Sequence, residues 1–392
     1  MPEKPGSSHP KVIKDDGRKL FLILLAVWFI INFLQALFME VMSDESYYGL
    51  FGKYLAWGYY DHPPMVALLT RLSSILFNGN LGIRFLTVLL QIGTLILIWR
   101  IIDIENPGKK DVISFFIIAA SISLFSLYGF IAAPDGPLLF FTALFLLAYR
   151  KFIRDAGWGT VFLLSFSMAA MIYSKYQAVL VIGFTILSNL KLLKSIRFWL
   201  AGIFALVLLI PHFNWQVAND FPSFQYHLVD RSEGFKWSYL LEYLPNQLAV
   251  FNPLTIGAAV YIMFKNKPSG QFERTLYLQI AGFIIFFFFI AFRGHVEPHW
   301  TIACSVPLIV ILTQKCRTDP RILRYTRKFI LPTLLLFIAA RIFTLTDIKF
   351  IRHLAFGGKE QEYRELESEA GDLPVVFSGA FQRPSMYSFF TG

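Results

Sequence analysis

The chain has 392 residues, of which 56% are hydrophobic and only 16% charged, whereas an average soluble domain carries roughly a quarter charged residues. Long charge-free stretches occupy most of the sequence, which excludes an ordinary soluble globular protein. The formal net charge of +10 does not indicate a nucleic-acid partner, because the Lys and Arg residues collect in alternate loops rather than on one soluble domain. The two cysteines, Cys304 and Cys316, form neither a metal-ligand spacing nor a disulfide framework.

Apolar runs of membrane-spanning length recur along the chain, since a hydrocarbon core about 30 Å thick requires about 20 apolar residues in a helix. Residues 1–19 are polar and basic, and the run that follows is too long for a signal peptide and has no small-residue cleavage site. The runs lie at roughly 20–39, 83–101, 112–132, 136–150, 160–174, 176–190, 198–212, 247–264, 275–292, 299–314 and 329–345. The sequence therefore predicts an all-α polytopic membrane protein with about eleven transmembrane helices within residues 20–345.

Charge alternates between the predicted loops. One set of loops is strongly basic, as at 150–154, 191–197 and 315–328, and is predicted to be cytoplasmic together with the N-terminus. The other set is aromatic and richer in His and Asp, and it includes a first outer loop at 40–82 and a long outer loop at 213–246. A single span over 160–190 would reverse the predicted side of the membrane for every loop that follows. The basic cluster at 191–197 favours two spans or a re-entrant pair instead.

Residues 346–392 are predicted to form a small soluble extracytoplasmic segment. Five glutamates between 360 and 369 suit an exposed helix, and Leu373–Ser378 is predicted to be a β-strand behind the Gly371-Asp372 turn. This tail has the pattern of a small α/β unit that is either minimal or incomplete, and the sequence does not decide between the two.

The first outer loop contains the best candidates for chemistry. Asp44 and Glu45 come immediately after the first apolar run, and apolar residues then recur at helical spacing, which predicts a helix lying along the membrane surface. Asp44 stands near the start of that helix, where the helix dipole favours a carboxylate, so an N-cap is the alternative role. A further acid, Asp135, occupies a very short outer loop and belongs to the same face of the membrane.

Several motifs of the outer loops occur in a fixed order along the chain. They are Asp44-Glu45, Gly58-Tyr59-Tyr60-Asp61-His62-Pro63-Pro64, Pro134-Asp135-Gly136-Pro137-Leu138, Ser174-Lys175-Tyr176 and Pro298-His299-Trp300. Together they resemble the GT-C glycosyltransferases related to dolichyl-phosphate-mannose protein mannosyltransferases and to the bacterial aminoarabinose transferase of lipid A. The resemblance covers about residues 20–345. It implies a GT-C-like bundle with interfacial helices in the first outer loop, a polyprenyl-phosphate sugar donor, inversion at the anomeric centre, and Asp44 as the general base.

The chemistry requires a base for the acceptor hydroxyl and cations for the departing phosphate. Asp44 is the predicted catalytic base, with Glu45 and Asp135 as competing catalytic carboxylates. Lys175 is the only charged residue between Trp158 and Lys191, although a lysine at a span end often only extends toward water. The predicted substrate-binding residues are Lys175, Arg71, Tyr59, His62, Arg231, Arg293 and His299.

No metal site is predicted. The outer acids and histidines are donors that suit a divalent ion, but they show no tight ligand spacing, so no cofactor is expected to be required. The expected partners are a polyprenyl-phosphate sugar, a glycan, lipid or protein acceptor and membrane lipid, with the protein in the bacterial inner membrane and its active site facing the periplasm.

A membrane transporter or lipid flippase is the alternative function. Transporters usually carry ionisable residues within their spans and often show repeated halves, whereas these predicted spans are almost free of charge. A non-catalytic scaffold would leave the acidic outer loops without a purpose.

Overall fold

The computed structural model describes residues 16–231, 234–345 and 359–392, and α-helices dominate these ranges. The helices are α1 (Asp16–Phe38), α2 (Ser43–Lys53), α3 (Met65–Leu76), α4 (Gly79–Ile102), α5 (Lys109–Ser121), α6 (Ser123–Leu127), α7 (Asp135–Phe152), α8 (Trp158–Ser174), α9 (Ala178–Ser188), α10 (Ile196–Ala218), α11 (Pro222–Gln225), α12 (Trp237–Phe251), α13 (Pro253–Lys265), α14 (Gln271–Ile290), α15 (Ser305–Thr318), α16 (Pro320–Tyr325), α17 (Leu331–Phe343), α18 (Lys359–Ala370) and α19 (Gln382–Thr391). Short 3₁₀ turns occur at Leu190–Lys194 and Pro298–Cys304, and π turns at Tyr226–Asp230 and Thr326–Ile330. The predicted all-α membrane architecture is confirmed.

Helix α7 lies at the centre of the bundle. It packs between α4 and α8, and its apolar side chains, such as Leu138, Phe145 and Tyr149, are fully buried. By contrast, α10 exposes apolar side chains such as Leu206 and Val207, which are 67% and 54% exposed. A helix with an apolar exposed face is suited to contact with lipid, so α10 lies at the periphery of the bundle.

Four of the described helices, α1, α4, α10 and α14, are long and apolar enough to cross a membrane, and the bent pair α12–α13 adds a fifth if the two count as one span. The axes of this pair meet at 94°. Every predicted apolar run contains a helix, but several of these helices are shorter than a full span because breaks interrupt the runs, as at residue 122 between α5 and α6. The number of eleven spans therefore stays a prediction.

The segment 160–190 forms two helices, α8 and α9. Lys175, which follows α8, contacts Asp135 at the beginning of α7, with 2.7 Å between Nζ and Oδ1. Asn189, which follows α9, donates to the hydroxyl of Tyr149 near the other end of α7, over 3.2 Å. Between these two contacts the chain travels most of the length of α7, which supports two passes in this segment.

Helices α2 and α3 follow α1 where helices along the membrane surface were predicted, and their position at that surface stays a prediction. Helix α2 begins at Ser43 because the Glu45 carboxylate accepts the backbone N–H of Met42 at 3.0 Å, which satisfies one of the free donors of the first turn. Helices occupy both ends of the predicted long outer loop 213–246, whose extent outside the membrane stays a prediction. Helix α10 continues to Ala218 and α12 already begins at Trp237, because the polar residues that interrupt the apolar run still fit a helix whose side chains are partly buried.

The described part of the C-terminal tail contains α18 and α19, which pack on each other, and α19 also packs on α2. Tyr363, Met386 and Phe390 form a small core, and the ring of Phe381 stands 4.1 Å from that of Tyr47. The predicted helix is present, but Leu373–Ser378 forms no strand, because none of the described residues pairs with it. Residues 346–358 of the predicted tail lie outside the described residues.

Candidate active site

A buried ion pair fixes α2 to the bundle. The fully buried carboxylate of Glu45 accepts from Arg84 Nε on α4 at 2.7 Å and from the backbone N–H of Ala132 at 2.8 Å. Arg84 is also fully buried and donates to the carbonyl of Glu40 at 2.8 Å. With the Met42 contact described above, the oxygens of Glu45 are fully engaged. Glu45 therefore anchors the helix and has no lone pair free to act as a base.

The adjacent side chain, Asp44, faces the other way and reaches solvent. None of the described residues forms a hydrogen bond or an ion pair with its carboxylate. Asp44 nevertheless lies in a recess, where burial raises the pKa of its carboxyl group, and the negative charges of Glu297 and Glu45 raise it further. It is an accessible carboxylate whose affinity for a proton is increased.

Charged and polar residues from distant parts of the chain surround this recess. Lys175 and Asp135 form a buried ion pair of 2.7 Å. Arg231 donates to Glu297 Oε1 at 2.9 Å and lies 5.4 Å from the centre of the Trp300 ring. The cations and carboxylates of the recess are thus paired with each other, whereas Asp44 is not.

The turn after α2 places a second acid near the first. The Tyr59 hydroxyl donates to the Phe51 carbonyl at 2.9 Å and their rings stack at 3.8 Å, which fixes the turn. The turn directs Asp61 toward Tyr47, whose hydroxyl donates to Asp61 Oδ1 at 3.3 Å. Burial raises the pKa of Asp61 to about 6.

His62 follows Asp61 in this turn, and its Nε2 lies 3.1 Å from the hydroxyl of Tyr48. Burial lowers the pKa of His62, and the positive charge of Lys175 lowers it further. His62 is therefore neutral at neutral pH, a form suited to exchanging hydrogen bonds rather than to binding an anion by charge.

Most of the residues singled out in the sequence meet in this recess, although their catalytic and binding roles stay predictions. The residues that share the recess are Asp44, Asp135, Lys175, His62, Arg231 and His299. Tyr59 supports the turn instead of facing the recess. Arg71 and Arg293 are exposed, and no described contact of their side chains joins them to the recess.

Three members of the site, Glu297, Asp61 and Arg84, were missed in the sequence. Glu297 stands two residues before His299 in a short outer loop, which was a usable signal. Arg84 is a lone charge within a predicted span, and such a charge usually marks a partner inside the protein. In the part of the chain that the structure describes, no three His, Cys, Asp or Glu side chains converge as metal ligands.

An apolar groove of about 570 Å³ leads to the recess along α8, α9 and α10. Its wall consists of residues such as Ile172, Leu206 and Ile210. It is also bordered by the polar residues His212, Gln216, Ser223 and His227, each of which has a polar atom hydrogen-bonded within the protein. The Nε2 of His227 lies 3.0 Å from the carbonyl oxygen of Asp61. Burial lowers the pKa of His227, and the positive charges of Arg231 and Lys175 lower it further. The part of the groove that His227 borders therefore lies near the cations of the recess.

Comparisons with known proteins bear on this arrangement. The family model described as dolichyl-phosphate-mannose-protein mannosyltransferase matches residues 61–215. The chain is 24% identical over 262 residues to the lipid A galacturonosyltransferase RgtD of Rhizobium johnstonii, a match that covers 62% of this chain and 53% of that protein. The chain thus spans about half the length of this curated relative.

The fold is similar to crystal structures of ArnT from Cupriavidus metallidurans in the apo state and bound to undecaprenyl phosphate. The TM-score is 0.61 in both cases, with 14% and 16% identity, over 95% of this chain and 76% of the ArnT chains. At these identities the structural similarity establishes the fold alone. The resemblance that the ordered motifs indicated is confirmed.

Proposed function

Because its resemblance to the GT-C glycosyltransferases is confirmed, we propose that this chain is an inverting glycosyltransferase. It moves a hexosyl or pentosyl group from a polyprenyl-phosphate donor to an acceptor hydroxyl. In this reaction the bond between the anomeric carbon and the phosphate oxygen breaks, the acceptor oxygen bonds to the anomeric carbon, and the acceptor proton passes to a carboxylate. The lipid phosphate leaves with the electron pair of the broken bond.

The observation that carries the proposal is the contrast between Asp44 and the other acids of the recess. Glu45, Asp135 and Glu297 each have a cationic partner, and Asp61 accepts from Tyr47. Asp44 has no hydrogen-bonding partner among the described residues, reaches solvent and has a raised pKa. A general base must be accessible and must have a free lone pair. Asp44 combines these properties.

The leaving phosphate requires positive charge at the end of the groove. Arg231 is the better placed of the two cations, because its side chain is 29% exposed whereas that of Lys175 is 3% exposed. Its planar guanidinium suits bidentate contact with phosphate oxygens. Lys175 adds a buried positive charge near the same point, with Asp135 holding its ammonium group in place.

The prenyl chain of the donor would occupy the groove along α10. The groove is apolar over most of its length and lies on a helix whose face is suited to lipid, so a polyprenol can enter it from the side. The part that His227 borders then places the phosphate beside Arg231 and Lys175, with Asp44 across the recess. A lipid-phosphate sugar beside its acceptor presents a prenyl chain, then a phosphate, then the acceptor hydroxyl. The apolar groove, the two cations and the base follow one another in the same order.

We place the protein in the bacterial inner membrane, with the recess facing the periplasm and the N-terminus in the cytoplasm. The basic loops support this orientation. The acceptor is a glycan, a lipid or a protein, and a glycolipid is the acceptor class that the name of the curated relative suggests. No metal is required in this scheme, because Arg231 and Lys175 supply the charge for the phosphate.

We expect Arg231→Gln to raise the KM for the lipid-phosphate donor by roughly 10- to 100-fold, the effect of losing a charge-assisted contact to phosphate. The measurement is the initial rate against donor concentration. Because the substitution removes the guanidinium partner of Glu297, the double variant Arg231→Gln/Glu297→Gln is measured beside it. Arg383→Gln, an exposed arginine on α19, serves as the control. An unchanged donor KM in the double variant would remove Arg231 from phosphate binding.

The groove is tested with Leu206→Trp, whose indole fills part of it. We expect the KM for a long-chain donor to rise about tenfold, as for an overfilled apolar site, and that for a donor with a short prenyl chain to change little. Val207→Trp is the matched control, because Val207 is a neighbouring exposed residue that does not line the groove. Equal effects of both substitutions, or equal effects on both donors, would contradict the assignment of the groove.

The decisive test of the function is a transfer assay with purified full-length protein and radiolabelled polyprenyl-phosphate sugars. Lipid-linked acceptors, glycans and peptides are offered in parallel. Loss of label from the donor and its appearance in one acceptor class would establish the activity. If no donor is consumed in the presence of any acceptor while the protein moves the donor across a vesicle bilayer, the flippase alternative replaces the transferase.

A further inference from the structure

A second apolar groove, of about 500 Å³, lies between α1, α5 and α17. Its wall includes Leu24, Ile31, Phe116, Ile117, Leu334 and Phe337, and it shares no lining residue with the groove along α10. On α17 the lining residues extend from Leu331 to Arg341, about 15 Å at the helical rise. The groove therefore has the length and polarity for an alkyl chain.

Arg341 stands at one end of this groove, in the last turn of α17 and beside the end of the short helix α6. Its guanidinium donates to Asn32 Oδ1 at 2.9 Å, to the carbonyl of Ser126 at 2.6 Å and to the hydroxyl of Ser126 at 3.2 Å. It also lies 5.0 Å from the centre of the Phe130 ring. A guanidinium has five N–H donors, so these contacts leave two of them without an acceptor among the residues that the structure describes.

Arg341 differs from the other buried or partly buried arginines in having no carboxylate partner. Arg84 pairs with Glu45, Arg150 with Asp103 and Arg231 with Glu297. Across 16–231, 234–345 and 359–392, no acidic side chain forms an ion pair with Arg341. A positive charge in an apolar setting is costly unless an anion neutralises it. The missing charge must come from outside the described part of the protein.

We propose that this groove binds a phospholipid of the surrounding bilayer, with its phosphate on Arg341 and one acyl chain along α17. The phosphate supplies the absent negative charge and accepts from the unused N–H groups. A lipid headgroup would meet the protein at the level of the outer ends of α17 and α6. The bound lipid is not the sugar donor, because the groove is separate from the one that lies near Arg231 and Lys175.

The bound phospholipid would also support the recess from behind. Ser126 and Phe130 precede the segment that contains Ala132, which donates to Glu45, and Asp135, which pairs with Lys175. By holding Arg341 against this segment, the lipid acts as a structural component rather than as a substrate.

The test is native mass spectrometry of the full-length protein in detergent, with phosphatidylglycerol and a diacylglycerol of the same acyl chains added at equal concentrations. We expect the wild type to prefer phosphatidylglycerol by about tenfold, the effect of one charge-assisted contact. Arg341→Met should abolish the preference and Arg341→Lys should keep most of it. Ala120→Phe, which fills the groove without touching the guanidinium contacts, should reduce the binding of both lipids.

Equal binding of the two lipids to the wild type, or an unchanged preference in Arg341→Met, would overturn the proposal. Displacement of the phospholipid by one equivalent of undecaprenyl phosphate would assign the groove to a lipid-linked substrate and overturn it as well. If Arg341→Met does not yield folded protein, the two lipids compared on the wild type and on Ala120→Phe still decide the matter. The assay measures binding without turnover, so its outcome is independent of the proposed transferase activity.

Discussion

Replacing Asp44 by Asn is expected to lower the kcat of sugar transfer by about 10²- to 10⁴-fold, the usual contribution of a general base. The amide has the same shape but cannot accept the proton of the acceptor hydroxyl. Folding should not suffer, since burial and the charges of Glu297 and Glu45 already disfavour an ionised Asp44. The measurement is the single-turnover rate with saturating donor, beside the unfolding midpoint of each protein.

Two further variants make this result specific. Asp220→Asn changes another exposed outer acid, at a positive φ that Asn tolerates well, and should leave the rate unchanged. Asp44→Glu keeps a carboxylate, displaced by one methylene, and should retain part of the activity. If Asp44→Asn turns over within about threefold of the wild type, far from the loss of a general base, Asp44 is not the base.

The pH dependence of the wild type has a defined sign. The folded protein raises the pKa of Asp44, so protonation removes the base at a higher pH than for an ordinary aspartate. The rate should therefore fall as the pH decreases through this raised pKa, and the fall should be absent from the residual activity of Asp44→Asn. Asp61, with a pKa of about 6, titrates in the same direction, so Asp61→Asn is the variant that separates the two groups.

Replacing Glu45 by Gln should cost about 3–5 kcal/mol of stability, because it leaves the fully buried Arg84 without a counter-charge. The measurement is the loss of monodisperse protein on heating in detergent. Glu45→Gln combined with Arg84→Met removes the stranded charge and should recover part of the loss, although the backbone groups that the pair satisfies remain unpaired. Glu105→Gln, a change at an exposed acid, is the control.

This experiment also separates the two acids of the Asp44-Glu45 motif. At a temperature where Glu45→Gln is folded, its kcat should stay within about tenfold of the wild type, well short of the effect of removing a general base. A stable Glu45→Gln protein that has lost all turnover would reverse the roles assigned to the two side chains.

The parts of the fold that were predictable from the sequence are those set by local pattern. Helix α2 follows from apolar residues at helical spacing after two acids, and α7 begins where Pro134-Asp135 opens an apolar run. The strand predicted at Leu373–Ser378 is absent because a strand depends on more than local pattern. Alternating apolar residues favour a strand only where a neighbouring strand completes its hydrogen bonds, and local sequence contains no information about that neighbour.

The pairing within the site was not predictable in this way. Lys175 and Asp135 are 40 residues apart, Arg231 and Glu297 are 66 apart, and Glu45 and Arg84 are 39 apart. Each pair depends on which helices pack together, and a single sequence does not specify this. The functional importance of charges within predicted spans was underestimated for the same reason. Arg84 and Arg341 look alike in the sequence, yet Arg84 has a carboxylate partner and Arg341 has none among the described residues.

Helix α7 also bears on how deep the recess lies. Asp135 and Arg150 occupy the same continuous helix, and the fifteen residue-to-residue steps from one Cα atom to the other correspond to about 22 Å. If Arg150 marks the cytoplasmic boundary, as the basic loops predict, the Lys175–Asp135 pair lies about 8 Å short of the far side of a 30 Å hydrocarbon layer. Because α7 is buried at the centre of the bundle, this shortfall is a depth within the protein, and the recess would extend below the level of the surrounding lipid headgroups. On the proposed function, the donor phosphate would then have to leave the headgroup level and enter the protein to reach Lys175.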